Sequence, residues 1–162
     1  MPIRVLIADD HQLIRQALAD LFEGTPDITV VGECSDGSQV VAAVAATRPD
    51  LVLMDLQMPV MDGLQATREL LDSHPEVRVV VLTGGLTPAT ALEARALGVA
   101  GYLLKEDDPG DLPDRVRTVA AGGTVWSPAA TAVVESGWDS LTDPAVTGAP
   151  STYVEESPRR YR

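Results

Sequence analysis

Leu51-Val-Leu-Met-Asp55-Leu-Gln-Met-Pro59 sets an apolar run against an aspartate and a turn within nine residues. Four apolar residues run straight into an aspartate, and Met58-Pro59 closes the segment. The apolar run is too short for a helix, and Pro49 just before it discourages helical continuation. An uninterrupted run of this length reads as a strand buried on both faces, as in parallel sheets. Asp55 then stands where the strand leaves the core, at the carboxyl edge where ligand sites of open α/β sheets collect. Alone, an aspartate there is most often a turn former or the cap of the next helix. The flanking sequence decides between these roles.

Upstream, Ile3–Ala8 is a second apolar strand, followed directly by Asp9-Asp10. Leu13, Ile14, Ala17, Leu18, Leu21 and Phe22 then recur at helical spacing, and Gly24 and Pro26 end that helix. Residues 28–31 read as a more mixed strand near an edge, and Asp36-Gly37 opens a helix carrying Val40, Val41 and Val44. Downstream, Leu64, Leu70 and Leu71 mark the buried side of a third helix. Residues 77–82 form another continuous apolar strand, ending at Thr83-Gly84-Gly85. Pro88 suits the first turn of a fourth helix, which ends near Gly98. Residues 101–104 make a short strand ending at Lys105, and a fifth helix covers about residues 112–121, with Pro113 in its first turn. Five β-α repeats imply an α/β fold, a doubly wound five-stranded parallel sheet with right-handed crossovers.

The chain has 162 residues, 45% apolar and 22% charged, which suits one globular domain with an appendage. Aromatics are 4%, so the core is aliphatic. A net charge of −12 argues against condensation on phosphate backbones. The single cysteine, Cys34, rules out an internal disulfide and reads as a small buried residue at a strand end. The sequence enters a strand pattern at Ile3 without a signal-peptide leader, and no apolar stretch approaches a membrane span. The expectation is a soluble, cytoplasmic chain.

After Gly122-Gly123 the pattern weakens. The domain reading is a first domain over 1–122, a short connecting strand and helix over 123–135, and a disordered tail over 136–162. Ser127-Pro128 is a helix start for residues 129–135, whereas Gly, Pro, Ser and Thr recur without apolar period from Ser136 onward.

The polar residues at the strand ends are Asp9, Asp10, Asp55, Thr83 and Lys105, and in a parallel sheet they share one edge. Lys105 is also the only lysine in the chain. Three carboxylates in one pocket repel one another, and a divalent cation is the simplest resolution. Mg²⁺ takes one or two carboxylates, waters and substrate phosphate oxygens, and a backbone carbonyl such as that of Gln57 would complete the set. One aspartate then remains free as a nucleophile toward phosphorus, with the ammonium and hydroxyl neutralising charge on the transferring group.

Ile7-Ala-Asp-Asp10, Leu53-Met-Asp55 with Met58-Pro59 and Asp62-Gly63, Val81-Leu-Thr83 and Gly101-Tyr-Leu-Leu-Lys105 together resemble the receiver domain of bacterial two-component response regulators, over roughly residues 3–121. The resemblance implies a flavodoxin-like fold with strand order 2-1-3-4-5. It implies Asp55 as phosphoacceptor, and Mg²⁺ held by Asp9, Asp10, Asp55 and the Gln57 carbonyl. Thr83 would be the switch hydroxyl, Lys105 the phosphate-pairing lysine and Tyr102 the rotating aromatic. A sensor histidine kinase would be the partner, a homodimer the assembly, and no catalysis beyond self-phosphorylation from small donors and self-dephosphorylation is implied. The segment from Val119 to Pro128 further resembles the LuxR/NarL-type subfamily, whose regulators carry a C-terminal helix-turn-helix. From Leu141 only 22 residues remain, too few for that module, so DNA binding is not expected of this chain as it stands.

Asp9 or Asp10 alone would more often cap a helix, Thr83 could end a strand, and Tyr102 could be edge packing with its hydroxyl in water. His11 is read as a solvent-facing residue at a helix start, since hard oxygen sites favour Mg²⁺, and His74 as a helix-end residue. Gly84 and Gly85 either open the pocket mouth or simply start a flexible loop. The alternative function is a LuxR/NarL-type transcription regulator with a truncated reader. A related aspartyl-nucleophile phosphatase would resemble Asp-x-Asp at its nucleophile; Gln57 two residues after Asp55 leaves no general acid.

Overall fold

Strand β3 (Leu51–Met54), buried along its whole length, lies inside the sheet, between β1 (Ile3–Ala8) and β4 (Arg78–Thr83). The computed structural model describes residues 1–142, with side chains to residue 136. Its sheet is wholly parallel and ordered β2-β1-β3-β4-β5-β6, where β2 is Ile28–Cys34, β5 is Gly101–Leu104 and β6 is Val125–Trp126. The expected order 2-1-3-4-5 is therefore present with a sixth strand added beyond β5. This sixth strand falls in the connecting strand expected within residues 123–135, and what the sequence does not show is its pairing with β5.

Alternation along the strands divides the interior into two layers. Leu6, Ala8, Val52, Met54, Val79, Val81 and Tyr102 face one side. There they meet α2 (Val40–Thr47), α3 (Gly63–Ser73), α4 (Pro88–Leu97) and α6 (Pro128–Thr142). Val5, Ile7, Leu51, Leu53, Val80, Leu82 and Leu103 face α1 (Gln12–Glu23) and α5 (Leu112–Ala120). The apolar stripe of α1 narrows in the structure: Leu18 and Phe22 are buried, while Leu13 is 81% exposed. The helix opened by Asp36-Gly37 begins as a single 3-10 turn, with Asp36 accepting from the Ser38 amide, before α2 proper.

The helix expected over residues 129–135 runs through Thr142, so the boundary drawn at Ser136 falls inside α6. Residues 143–162, the rest of the expected tail, lie outside the described residues. Among the described residues no helix is long and apolar enough to cross a membrane.

Gly37, Gly63 and Gly101 are needed where backbones meet. A Cβ on Gly63 would sit 2.1 Å from the carbonyl oxygen of Asp55, so only glycine lets α3 start against the strand-exit turn. A Cβ on Gly101 would sit 2.6 Å from both the carbonyl oxygen and a methyl of Val125, so glycine allows β6 to pair with β5. Gly101→Ala is accordingly expected to cost about 1–3 kcal/mol, the usual range for overpacking. Urea unfolding would check it, with no loss of midpoint counting against the close approach. Cys34 behaves as read: it is buried at the end of β2, and burial, reinforced by Asp36, pushes its thiol up to about 11. Ellman's reagent at pH 8 is expected to label it slowly in the native protein and rapidly in denaturant.

Candidate functional site

The parallel register sets the site. Ala8 pairs with Met54, and Met54 with Val81, so the residues that follow them leave the sheet at nearly one level. The Asp55 amide donates to the Ala8 carbonyl at 2.9 Å, and the Lys105 amide to the Thr83 carbonyl at 2.9 Å, extending the ladders to the strand ends. Asp9, Asp55 and Thr83 are all buried there, and Asp10 is exposed at the rim.

Lys105 reaches across this edge. Its Nζ lies 2.7 Å from Asp9 Oδ2 and 3.4 Å from Asp55 Oδ2. The second contact is an ion pair without hydrogen-bond alignment, and Asp55 Oδ2 is the one buried side-chain polar atom among the described residues with no hydrogen-bond partner. The other oxygen, Asp55 Oδ1, accepts a long 3.5 Å bond from the Gln57 amide. Burial first, then the Asp9 charge, raises the Asp55 carboxyl above its ordinary value, and Lys105 only partly offsets this. Burial works against the Lys105 ammonium, but its bond to Asp9 and the charges of Asp55 and Asp9 outweigh it and raise its pKa.

Asp9, Asp10, His11 and Asp55 each offer one ligand atom, and these atoms lie within 4.8 Å of one another. Buried carboxylate oxygens, one of them unpartnered, are the donor set a hard divalent cation takes. Gln57 stands in the exit loop with its side-chain amide beside Gly85. His11 caps α1 and its side chain is 63% exposed, yet its Nδ1 turns inward, 3.2 Å from Asp9 Oδ1 and 3.1 Å from Asp10 Oδ1. That inward turn was not legible in the sequence. His74 is the C-terminal cap of α3, a helix-end residue as read.

Thr83 does more than end its strand. Its hydroxyl accepts the Gly85 amide at 3.2 Å, and the Gly85 carbonyl in turn accepts from the Tyr102 hydroxyl at 3.4 Å. Gly85 is therefore anchored at both of these groups. Tyr102 is fully buried, with its hydroxyl paired to Thr90 Oγ1 at 3.0 Å and not in water. Its ring stacks on Trp126 at 5.5 Å and 18°, and burial raises its pKa. Thr90 and Trp126 were not singled out in the sequence. Thr90 carried a signal, standing three residues after Thr87 in the capping box of α4. Trp126 carried none, because it meets Tyr102 through the register of β6.

Residues 5–117 match the family described as response regulator receiver domain. The chain belongs to the response regulator receiver family. It is 38% identical over 120 residues to the transcriptional regulatory protein LiaR of Bacillus subtilis, covering 74% of this chain and 57% of that protein. A solved LuxR-family two-component response regulator from Aurantimonas superposes with TM-score 0.80 at 29% identity, over 86% of this chain and 99% of that one. The signal receiver domain of the putative response regulator NarL from Mycobacterium tuberculosis gives 0.70 at 32% identity, over 75% and 98%. These relatives are LuxR/NarL-type regulators, as the resemblance implied. The chain spans between 55% and 61% of the length of the curated relatives it matches.

A receiver pocket of like charges stores repulsion, and its sign fixes a pH dependence. A carboxyl whose folded pKa exceeds its unfolded value weakens the fold wherever it is ionised. Stability contributed by Asp55 therefore falls as pH rises from 3.8 through the raised value, and the deficit is complete above it. Asp55→Asn is expected to raise Tm by a few degrees at pH 7 without divalent metal, for about 1 kcal/mol or more. The gain is expected to shrink as the pH is lowered toward 4. Thermal melts at both pH values would check it, an equal or lower Tm at pH 7 being the contrary result.

Proposed function

We propose that this receiver takes a phosphoryl group onto Asp55 from a sensor histidine kinase, in a Mg²⁺-dependent reaction, and signals by a conformational change coupled to homodimerisation. The observation that carries this is Asp55 Oδ2: buried, without a hydrogen-bond donor, and 3.4 Å from the ammonium of Lys105. An oxygen in this state is an available nucleophile. It attacks phosphorus, the bond from phosphorus to the donor breaks, and an acyl phosphate remains.

Asp9, Asp10, Asp55 and the Gln57 backbone carbonyl would hold Mg²⁺, which when bound would neutralise charge on the phosphoryl oxygens. Lys105 contributes a second positive charge from the carboxyl end of β5, on the same edge. Asp9 positions that ammonium through its 2.7 Å bond. Thr83 exchanges its bond from the Gly85 amide for one to the new phosphoryl group, which frees the loop that also holds Tyr102. The Tyr102 ring, Thr90 and α4 are thereby linked to the state of Asp55. Its chemistry stops at autophosphorylation and self-dephosphorylation, in the cytoplasm, with no substrate turned over.

Intact mass after incubation with acetyl phosphate tests the reading. One phosphoryl adduct is expected with Mg²⁺, none in EDTA and none in Asp55→Ala. An adduct that survives either control overturns it. Lys105→Ala is expected to keep Mg²⁺ binding while uncoupling phosphorylation from the dimer shift seen by size exclusion, and abolished metal binding would count against its role.

The transcriptional names and greater length of the curated relatives favour a second reading, a DNA-binding regulator of the LuxR/NarL type with its reader outside this chain. A gel-shift assay with and without phosphorylation separates the two, since the receiver alone is expected to leave DNA unshifted.

A further inference from the structure

A cavity of about 230 Å³ lies between α1 and α5, beside the carboxyl end of β5. Leu82 of β4 and Leu103 of β5 line it from the sheet, Leu18 from α1 and Leu112 from α5. All four are buried members of the aliphatic layer on that side of the sheet. Ala17, exposed on α1, also lines it, so the space is closed there by a single methyl group. At about 30 Å³ for each water-sized group, the cavity takes roughly eight non-hydrogen atoms. That is smaller than a drug-sized pocket and suits a short apolar body.

Four charged residues stand around this apolar space: Lys105, Asp107, Asp108 and Arg115. Three of them are committed elsewhere. Lys105 Nζ is held by Asp9 Oδ2 at 2.7 Å. Asp107 Oδ2 accepts the Leu104 amide at 3.0 Å. Asp108 Oδ1 accepts the Gly110 amide at 2.9 Å and caps the 3-10 turn Pro109–Asp111. Arg115 differs: half-buried on α5, its guanidinium has no ion pair and no hydrogen bond among the described residues. The acid next to it in sequence, Asp114, is taken by Arg117, which also pairs with Asp27. The cavity therefore joins an aliphatic interior to one cation without a counterpart. A guanidinium presents parallel donors that match a carboxylate in bidentate geometry.

We infer that the cavity between α1 and α5 is a binding site for a small amphipathic anion, an organic acid whose carboxylate pairs with Arg115 and whose apolar body packs against Leu18, Leu82, Leu103 and Leu112. The site is separate from the acidic pocket at Asp55 and does not depend on how that pocket is read.

The probe is octanoate, titrated into the full ¹⁵N-labelled chain and followed through backbone amide shifts. A ligand of this size binds with a Kd of about 1 mM. Saturable shifts are expected at Leu103, Leu104 and Leu112. The Kd is expected to rise about tenfold in Arg115→Gln, the loss of a charge-assisted hydrogen bond, and less in Arg115→Lys. Ala17→Phe fills the cavity from an exposed position and is expected to abolish the shifts; the Arg115 variants decide the matter even if that protein misfolds. Octylammonium, a similar tail with the opposite charge, is expected to bind more weakly than octanoate at matched ionic strength. A Kd that Arg115→Gln leaves unchanged, octylammonium binding as tight as octanoate, or no saturable shift by about 10 mM octanoate overturns the inference. So does a concentration-dependent dimer in sedimentation velocity that Ala17→Phe breaks and octanoate does not compete, because the cavity then belongs to a second copy of the chain.

Discussion

Everything at the carboxyl edge depends on a mismatch of charge: two buried carboxylates, Asp9 and Asp55, with a third at the rim, face one ammonium. Removing a carboxylate from water is costly unless it is paired, and Lys105 pairs well with only one of them. The aliphatic strands β1, β3 and β4 are what impose the arrangement. Their fully buried interiors fix the register, and the register carries Asp9 and Asp55 out of the core side by side. The cohesion of the sheet thus holds together groups that would otherwise separate, so the fold opposes the electrostatics of its own edge.

How much of this was legible follows from what each residue advertises. Asp55 was legible because an unbroken apolar run ends on it, and Lys105 because it is the sole lysine at the end of another such run. Parallel pairing brings the ends of all such runs to one edge, so the polar cluster followed from strand identity alone. The edge position of β2 and the Cys34 burial were also visible, in a mixed strand pattern and a lone small sulfur residue. What escaped lay in contacts fixed by register or by a rotamer. Val125-Trp126 is too short to show alternation, so a connecting strand was expected there but neither its pairing with β5 nor the stack on Tyr102 was visible. His11 has the composition of a helix cap, and only its backbone bond to Asp9 turns the ring inward. The Leu13 position failed in the other direction: it fits the helical period yet stays exposed, because period identifies a stripe and not the width that packing covers.

The exit loop after Asp55 is held as a mechanical part. Met58 is buried, but Val60 is 85% exposed and holds a left-handed φ of 69°, a conformation that a β-branched residue adopts only under constraint. The constraint comes from both sides. Gly63 donates its amide to the Leu56 carbonyl at 2.9 Å, and Gly37 donates to the Met61 carbonyl at 3.0 Å. The loop is therefore clamped to α3 at one end and to the start of the α2 region at the other, which keeps the backbone beside Asp55 from drifting with solvent.

The Tyr102–Trp126 stack has a geometric consequence for whatever follows. Trp126 ends β6, Ser127 is buried, and α6 starts at Pro128 against α4. A helix of 15 residues is about 22 Å long at 1.5 Å per residue. Its foot rests beside the ring whose hydroxyl reaches the Thr83–Gly85 loop. A tilt of about 10° at that foot carries the far end roughly 4 Å, by the same rise per residue. The stack therefore sits at the pivot of α6, where any rotation of the helix base is enlarged along the length of the helix.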